Sequence, residues 1–480
     1  MSFPSPAMDS ATLAPLSTIK IVNTLLLPPL QKSPALSPPK PKQKLLVLRK
    51  NSKKSPFLTH CSAKPHTTNG EDLSVELIGS RIEGEDAKPI PDQAVSSSSS
   101  SSSILRGLVL DLGCGDSWDN LEIGSPVVKR YLGDEEERWH LWYHGRSGKN
   151  PESDAIGLAV SSNGIHWERG VGGVESSGDV GLVMNPSQDW WGFDTQSVIP
   201  GEVSIMSSAK LRANTAAVYW LYYTGFSAEE LKLPENFSPG FQLQNPERAC
   251  SNSSQSSTIF KSLPGLAMSQ DGRHWARIEG DHHSGALFDS GQKHDWDSLF
   301  ISSPNVLFHG NGDLRMYYHS FDTKANCFAI GIARSRDGIK WVKLGKILEG
   351  GGPGAFDEKG VMKANVVRNK RGGGYVMSYE GVGVDGRRSI GMAVSLDGLK
   401  GWRRVNNSRP VLEKCGEEDG CWDSEGVGSP CLVEMDNGGE DWQWRLYYRG
   451  VGRGGRTGIG LAVSDGADFQ SFQRWTGFHL

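Results

Sequence analysis

The sequence predicts an all-β fold: a β-propeller of five blades, each of four antiparallel strands, preceded by a disordered leader. Three observations predict it: a hairpin pattern written five times, an aromatic-Asp pair upstream of every hairpin, and an aromatic strand between the two.

The hairpin is clearest at Ile330-Gly331-Ile332-Ala333-Arg334-Ser335, where small and apolar residues alternate with polar ones. Asp337-Gly338 then supplies residues that accept positive φ, and a strand-like pattern resumes from Ile339 to Leu344. This predicts a β-hairpin with a tight Asp-Gly turn. The same pattern runs from Ile156 through Asn163-Gly164 to Trp167, from Gly265 through Asp271-Gly272 to Trp275, and from Ile390 through Asp397-Gly398 to Trp402. A fifth copy runs from Ile459 to Asp465-Gly466. There Ala467-Asp468-Phe469 replaces the usual aliphatic and Trp, which predicts an irregular closing blade.

The aromatic-Asp pairs are Trp118-Asp119, Phe193-Asp194, Trp296-Asp297, Phe356-Asp357 and Trp422-Asp423. Each precedes a short strand, and in three copies Ser-Pro follows at one offset (Ser125-Pro126, Ser303-Pro304, Ser429-Pro430). Next comes an aromatic strand: Leu141-Trp142-Tyr143, Leu221-Tyr222-Tyr223, Met316-Tyr317-Tyr318, Met377-Ser378-Tyr379 and Leu446-Tyr447-Tyr448. Four strands repeated five times cannot bury both faces of any one sheet, so the blades are expected to close into a ring around a funnel. A Ser- and Asn-rich insertion at residues 227–262 lengthens the second repeat; it is expected on a loop face, as a site for a protein partner.

The formal charge of −4 hides an asymmetry: residues 1–70 hold one acid, Asp9, against ten Lys or Arg. With their Ser, Thr and Pro content, residues 1–62 read as a chloroplast transit peptide delivering the chain to the stroma. A disordered tail that binds an acidic partner is the alternative. Residues 63–105, with eight serines at 96–103, read as a disordered linker, and the propeller domain is expected over 106–480. The apolar run at 21–30 is too short and too broken by Pro to cross a bilayer, and no membrane span is expected elsewhere.

Seven cysteines without a C-x-x-C pair argue against a disulfide scaffold and against a zinc site. Cys415 and Cys421 flank an acidic loop and form the one pair placed for a redox-sensitive bridge, although free buried or loop thiols are the simpler expectation. The stretch Leu108-Val109-Leu110-Asp111-Leu112-Gly113-Cys114-Gly115-Asp116 resembles the first motif of S-adenosylmethionine-binding methyltransferases. That motif needs a helix after the Gly turn; the residues from Trp118 onward enter the repeat instead and show no helical pattern.

Directly after the aromatic strands stand His144, Thr224, His319, Glu380 and Arg449. Unlike residues at equivalent positions point to a shared site; solvent-facing rim residues are the bland alternative. The five aspartates are the opposite case, because one residue type in every copy more often caps a turn. One or two of them remain candidates for the funnel, with Glu358 and Glu425 weaker still.

With these hairpins the chain resembles the arabinanase, levansucrase and invertase superfamily of five-bladed propeller glycosidases, over about residues 117–475. The resemblance implies a glycosyl hydrolase-like protein acting on or binding a carbohydrate or sugar phosphate, with two Asp and one Glu in the funnel. On that reading Glu380 is the acid and one of Asp119, Asp194 or Asp297 the base or nucleophile, while His144, Thr224, His319 and Arg449 contact the sugar. By register, however, the family's carboxylates fall near Ser125-Pro126, Pro200 or Gly201, Ser303-Pro304, Lys363-Ala364 and Ser429-Pro430, none of which is acidic. The alternative is a catalytically inactive propeller that binds a glycan or a protein as a scaffold. Neither a cofactor, nor a metal, nor a nucleic-acid partner is expected.

Overall fold

A computed structural model describes residues 106–132, 137–170, 180–205, 218–231, 259–310, 312–406, 409–416, 421–435 and 442–477. The expected transit peptide and linker lie outside the described residues.

The first blade is β2 (Glu122–Leu132), β3 (Glu137–Ser147), β4 (Asn150–Ser161) and β5 (Glu168–Arg169), with β6 (Leu182–Met184) also beside β4. The second is β7 (Ser197–Ile205), β8 (Tyr219–Glu230), β9 (Phe260–Ser269) and β10 (Ala276–Ile278). The third is β11 (Ser302–Gly310), β12 (Asp313–Asp322), β13 (Cys327–Ser335) and β14 (Trp341–Leu348). The fourth is β15 (Gly360–Arg368), β16 (Tyr375–Val382), β17 (Arg388–Ser395) and β18 (Arg403–Arg404). The fifth is β19 (Gly426–Met435), β20 (Gln443–Val451), β21 (Thr457–Ser464) and β22 (Phe472–Arg474). Neighbouring strands within a blade are antiparallel, and the innermost strands touch in the cyclic order β2, β7, β11, β15, β19 and back to β2. A short parallel bridge between Phe328 and Gly360 joins the third and fourth blades into one sheet, and the five blades make one ring, as the repeat predicts.

The second strand of each blade lies between neighbouring blades, so both of its faces are covered. All eight residues of β16 are buried. This is why these strands read as aromatic runs rather than alternating ones. Trp142, Tyr143, Tyr222, Tyr223, Tyr317, Tyr318, Tyr447 and Tyr448 are all fully enclosed. Each such ring contributes on the order of 2–3 kcal/mol of apolar burial.

The hairpin turns are wider than a two-residue Asp-Gly turn. Ser335 pairs with Trp341, leaving five residues in the loop. Ser335 Oγ accepts the Gly338 N–H at 2.8 Å, and Asp337 Oδ1 accepts the N–H groups of Ile339 and Lys340 at 2.9 and 2.8 Å. The side chains thus build the turn that the backbone would otherwise close alone. Gly338, at φ 79°, lies against the preceding blade, where an added Cβ would come within 2.5 Å of the Trp220 ring. Its carbonyl accepts from Tyr222 Oη at 3.2 Å. Trp142 reaches Gly272 O, Tyr317 reaches Gly398 O and Tyr447 reaches Gly164 O in the same way. In the fourth blade this position is Ser378, whose short side chain donates instead to Asn365 O of its own blade at 3.5 Å.

The closing blade borrows from the start of the chain. β1 (Leu108–Leu110) pairs with β21, placing Leu110 opposite Ile459, just as Met184, Leu348 and Leu412 lie opposite Ile156, Ile330 and Ile390. Gly107 O accepts the Leu461 N–H at 2.7 Å, and Arg106 O accepts from Trp422 Nε1 at 3.0 Å. The methyltransferase-like stretch is therefore the missing outer strand of blade five, followed by a loop without a helix. That displaces the methyltransferase reading.

Two further expectations change. Cys415 and Cys421 form a disulfide rather than remaining free thiols. The insertion begins later and ends earlier than its composition suggests, because β8 continues to Glu230 and β9 starts at Phe260; residues 232–258 lie outside the described residues.

Candidate functional site

The five aspartates occupy the same place in every blade. Asp119, Asp194, Asp297, Asp357 and Asp423 are buried, and each accepts a tyrosine hydroxyl from its own second strand. The donors are Tyr143, Tyr223, Tyr318, Tyr379 and Tyr448, at 2.9–3.0 Å. Each also takes a cation from the outer strand: Arg169, Arg277, Lys343, Arg404 or Arg474, at 2.7–2.9 Å. Burial and the neighbouring aspartate together push the five tyrosines up, so they stay protonated donors. This arrangement is internal to each blade. It gives Asp119, Asp194 and Asp297 the same task as Asp357 and Asp423: tying the loop before the inner strand to the two strands behind it.

Each inner strand carries a bulge where it nears the axis. Register breaks between Gly124 and Val127, Pro200 and Glu202, Ser302 and Asn305, Met362 and Asn365, and Gly428 and Cys431. The bulge residues Ser125, Ser303, Lys363 and Ser429 have φ of 46–52°, a left-handed conformation that side chains rarely adopt. With Pro200 they surround a small axial cleft. These are the positions at which the resemblance implies carboxylates, and the structure does bring them together. Their residue types are those of a polar, non-acidic ring.

The residues following the aromatic strands lie opposite these bulges and divide into two groups. Three of them stitch one blade to the next. Thr224 Oγ1 accepts the Ser303 N–H at 2.8 Å, His319 Nδ1 accepts the Lys363 N–H at 3.3 Å, and Glu380 Oε2 accepts the Ser429 N–H at 2.8 Å. His144 stands where the next blade offers Pro200, which has no N–H, and Arg449 cannot accept. These two converge instead on Glu122. Gly124 admits both, since a Cβ there would lie 2.5 Å from Arg449 Cδ and 2.7 Å from His144 Cε1.

Glu122 is the centre of the first network. Arg449 Nη2 donates to Oε1 at 2.5 Å, Arg146 Nη1 lies 2.9 Å from Oε2, and His144 Nε2 lies 3.8 Å away, beyond hydrogen-bond reach. Arg146 in turn pairs with Asp154 at 2.7 Å. Burial alone would push Glu122 up; Arg449, the His144 ring and Arg146 outweigh it and hold the carboxyl well below the usual range. Glu380 is the centre of the second. Lys363 Nζ lies 3.4 Å from Oε2, Arg388 Nη1 lies 3.2 Å from Oε1, and Gly428 leaves room for the carboxylate against its Cα. Lys363 also donates to Ser429 Oγ at 2.9 Å.

Sequence reading missed Glu122, Arg146, Lys363 and Arg388 as site residues. Glu122 had a signal: three residues after each aspartate stand Glu122, Ser197, Phe300, Gly360 and Gly426, and only one is charged. Lys363 likewise breaks a Ser-rich register. Glu358 and Glu425 accept the N–H groups of Gly354 and Gly454 and belong to loops.

At the far ends of the inner strands a cavity of about 540 Å³ is lined by all five blades. Lys129 and Glu202 form an ion pair there, and Asn305 Nδ2 donates to Glu202 at 2.6 Å. Asn305 and Asn365 accept the N–H groups of Val366 and Leu432 from the following blades, making a second ring of stitches.

No family model matches the chain, and no curated protein does. Among solved structures it is similar to a glycoside hydrolase, with 16% identity, a TM-score of 0.49 and coverage of 75% of this chain and 91% of that one. It is also similar to a glycosyl hydrolase from Bacteroides ovatus (14% identity, TM-score 0.47, 78% and 96% coverage). A thermostable family-43 glycoside hydrolase is similar too (16% identity, TM-score 0.47, 72% and 91% coverage).

Proposed function

We propose that this propeller binds a carbohydrate at the polar end of its axis and leaves the glycosidic bond intact. The observation that carries this reading is what surrounds the two axial carboxylates. Cleavage needs one carboxyl that holds a proton at neutral pH and a second that attacks or activates water. Glu122 is held ionised by two arginines. Glu380 Oε2 accepts the Ser429 N–H, and its two oxygens face the cations Lys363 and Arg388 rather than a second carboxylate. Ser125, Ser303, Lys363 and Ser429, which line the axial cleft, suit the hydroxyl-rich surface of a sugar or sugar phosphate. The leader composition supports action in the chloroplast stroma, and a fusion of residues 1–105 to a fluorescent protein tests that by imaging.

The deciding experiment mixes the full-length chain with a panel of plant oligosaccharides and sugar phosphates. It follows binding by calorimetry and product release by mass spectrometry, with Glu380→Gln in parallel. Binding without new products supports the proposal. Cleavage that disappears in Glu380→Gln overturns it in favour of a hydrolase.

A further inference from the structure

We propose that the Cys415–Cys421 disulfide is a redox-sensitive clasp on the blade that closes the ring. Each blade has a loop leading to its aromatic-Asp pair, closed by one backbone hydrogen bond onto the aspartate carbonyl. In four blades the donors are Gly113, Ser187, Gly291 and Gly351, at 2.9–3.1 Å. In the fifth the donor is Cys415, and its bond to Asp423 O is 3.4 Å. The loop is also longer: 415 to 423 spans eight positions, against six for 113 to 119, 291 to 297 and 351 to 357. A longer loop with a weaker bond is the one that carries the disulfide.

What this loop holds is specific to closure. Trp422 stacks on Tyr448 at 5.8 Å between centroids, bounds the space at Gly450, Gly458 and Gly460, and donates to Arg106 O. Arg106 leads directly into β1, so the ring's last outer strand is anchored through the residue next to Cys421. Asp423 beside it takes Tyr448 and Arg474, and Arg474 Nη2 reaches back to Glu413 O at 2.6 Å. The disulfide therefore restrains the segment against which β1 docks.

Its sulfurs can be reached from solvent, and among the described free thiols Cys114 alone is exposed. Cys415 and Cys421 are half-buried, whereas Cys327 and Cys431 are buried and burial pushes the Cys431 thiol up to about 11. The reductant is a dithiol. One of its thiolates attacks a disulfide sulfur and breaks the Sγ–Sγ bond, and its second thiol resolves the mixed disulfide. Two electrons pass to the protein, which ends with two thiols, while the dithiol ends as a disulfide.

The test is hydrogen exchange by mass spectrometry on the full-length chain, oxidised and after dithiothreitol. Reduction is expected to speed exchange of residues 107–112 and Leu461 about tenfold, with β12 and β13 unchanged, and to lower the melting temperature by about 3 °C. A Cys415→Ser, Cys421→Ser chain is expected to match reduced wild type under both conditions. Equal protection of residues 107–112 in the two redox states overturns the proposal. So does the same acceleration by dithiothreitol in the double variant, or alkylation mapping that finds Cys415 and Cys421 free in the oxidised chain. None of these readouts involves a carbohydrate, so they stand apart from the binding test.

Discussion

Asp357 accepts from Tyr379 and Arg404 in the way that Asp119 accepts from Tyr143 and Arg169, whereas Glu380 and Arg449, also at equivalent positions, share no kind of partner. Both sets sit at fixed register in the repeat. The aspartates solve one problem five times: fixing a loop to two strands inside a blade. The axial residues solve different problems, because each faces a different neighbour across a blade boundary. Identity at equivalent positions thus reports what a blade needs for itself, and divergence reports what happens between blades.

The most severe way to break this contrast is to remove one frame aspartate. Asp357→Ala leaves Arg404 and Tyr379 partly or wholly buried without their acceptor, and such a break costs about 3–5 kcal/mol. Urea unfolding measures it, and Asp194→Ala is expected to cost a similar amount because its partners are of the same types. Unequal costs, or a loss under about 1 kcal/mol in both, would show that the repeated geometry is not what holds the blades.

A smaller effect is expected at the axis. Glu122→Gln weakens the acceptor shared by Arg146 and Arg449, but Asp154 still pairs with Arg146, so a loss of about 2–3 kcal/mol is expected. The pH dependence carries its own sign. Glu122 is depressed below its ordinary value near 4.5, so its contribution is complete above that value and fades as the pH falls further. Wild type should therefore lose stability on acidification below about pH 4.5 more steeply than Glu122→Gln. Parallel pH profiles would mean that the Arg146–Glu122–Arg449 network does not set this response.

The frame was legible in the sequence because it is repeated: the spacing of Trp422-Asp423, Tyr448 and Ile459 could be read against four other copies. The structural role of the aspartates followed from the same repetition, and their partners Arg169, Arg277, Lys343, Arg404 and Arg474 stand at a regular place as well. The closing strand was harder. Residues 108–110 complete a unit whose other strands lie more than three hundred positions later, so a local reading met a Gly-rich turn and found a cofactor motif. The axial networks were least legible. Glu122, Arg146 and Arg449 come from three different strands and two blades, and they meet beside Gly124, next to a bulge at Ser125 that no side-chain pattern announces. The cysteine pair was legible as the one placed to bridge across an acidic loop, but an odd count along the chain made free thiols the simpler expectation.

The finest test concerns the bulges themselves. A non-glycine residue in the left-handed region costs roughly 1–2 kcal/mol, and four of the five blades carry one where they meet at the axis. Ser303 is the most informative, because what it gives the next contact is its backbone N–H, which Thr224 accepts and which any residue but proline supplies. Ser303→Gly relieves the steric cost and raises the freedom of the unfolded chain, so a net gain of about 0.5–1 kcal/mol is expected. Ser303→Ala removes the same hydroxyl but keeps the Cβ, so it isolates the backbone effect: the glycine variant should be the more stable of the two by that margin. If alanine and glycine unfold at the same urea concentration, the bulges cost nothing, and the axial ring would be as relaxed as the frame that surrounds it.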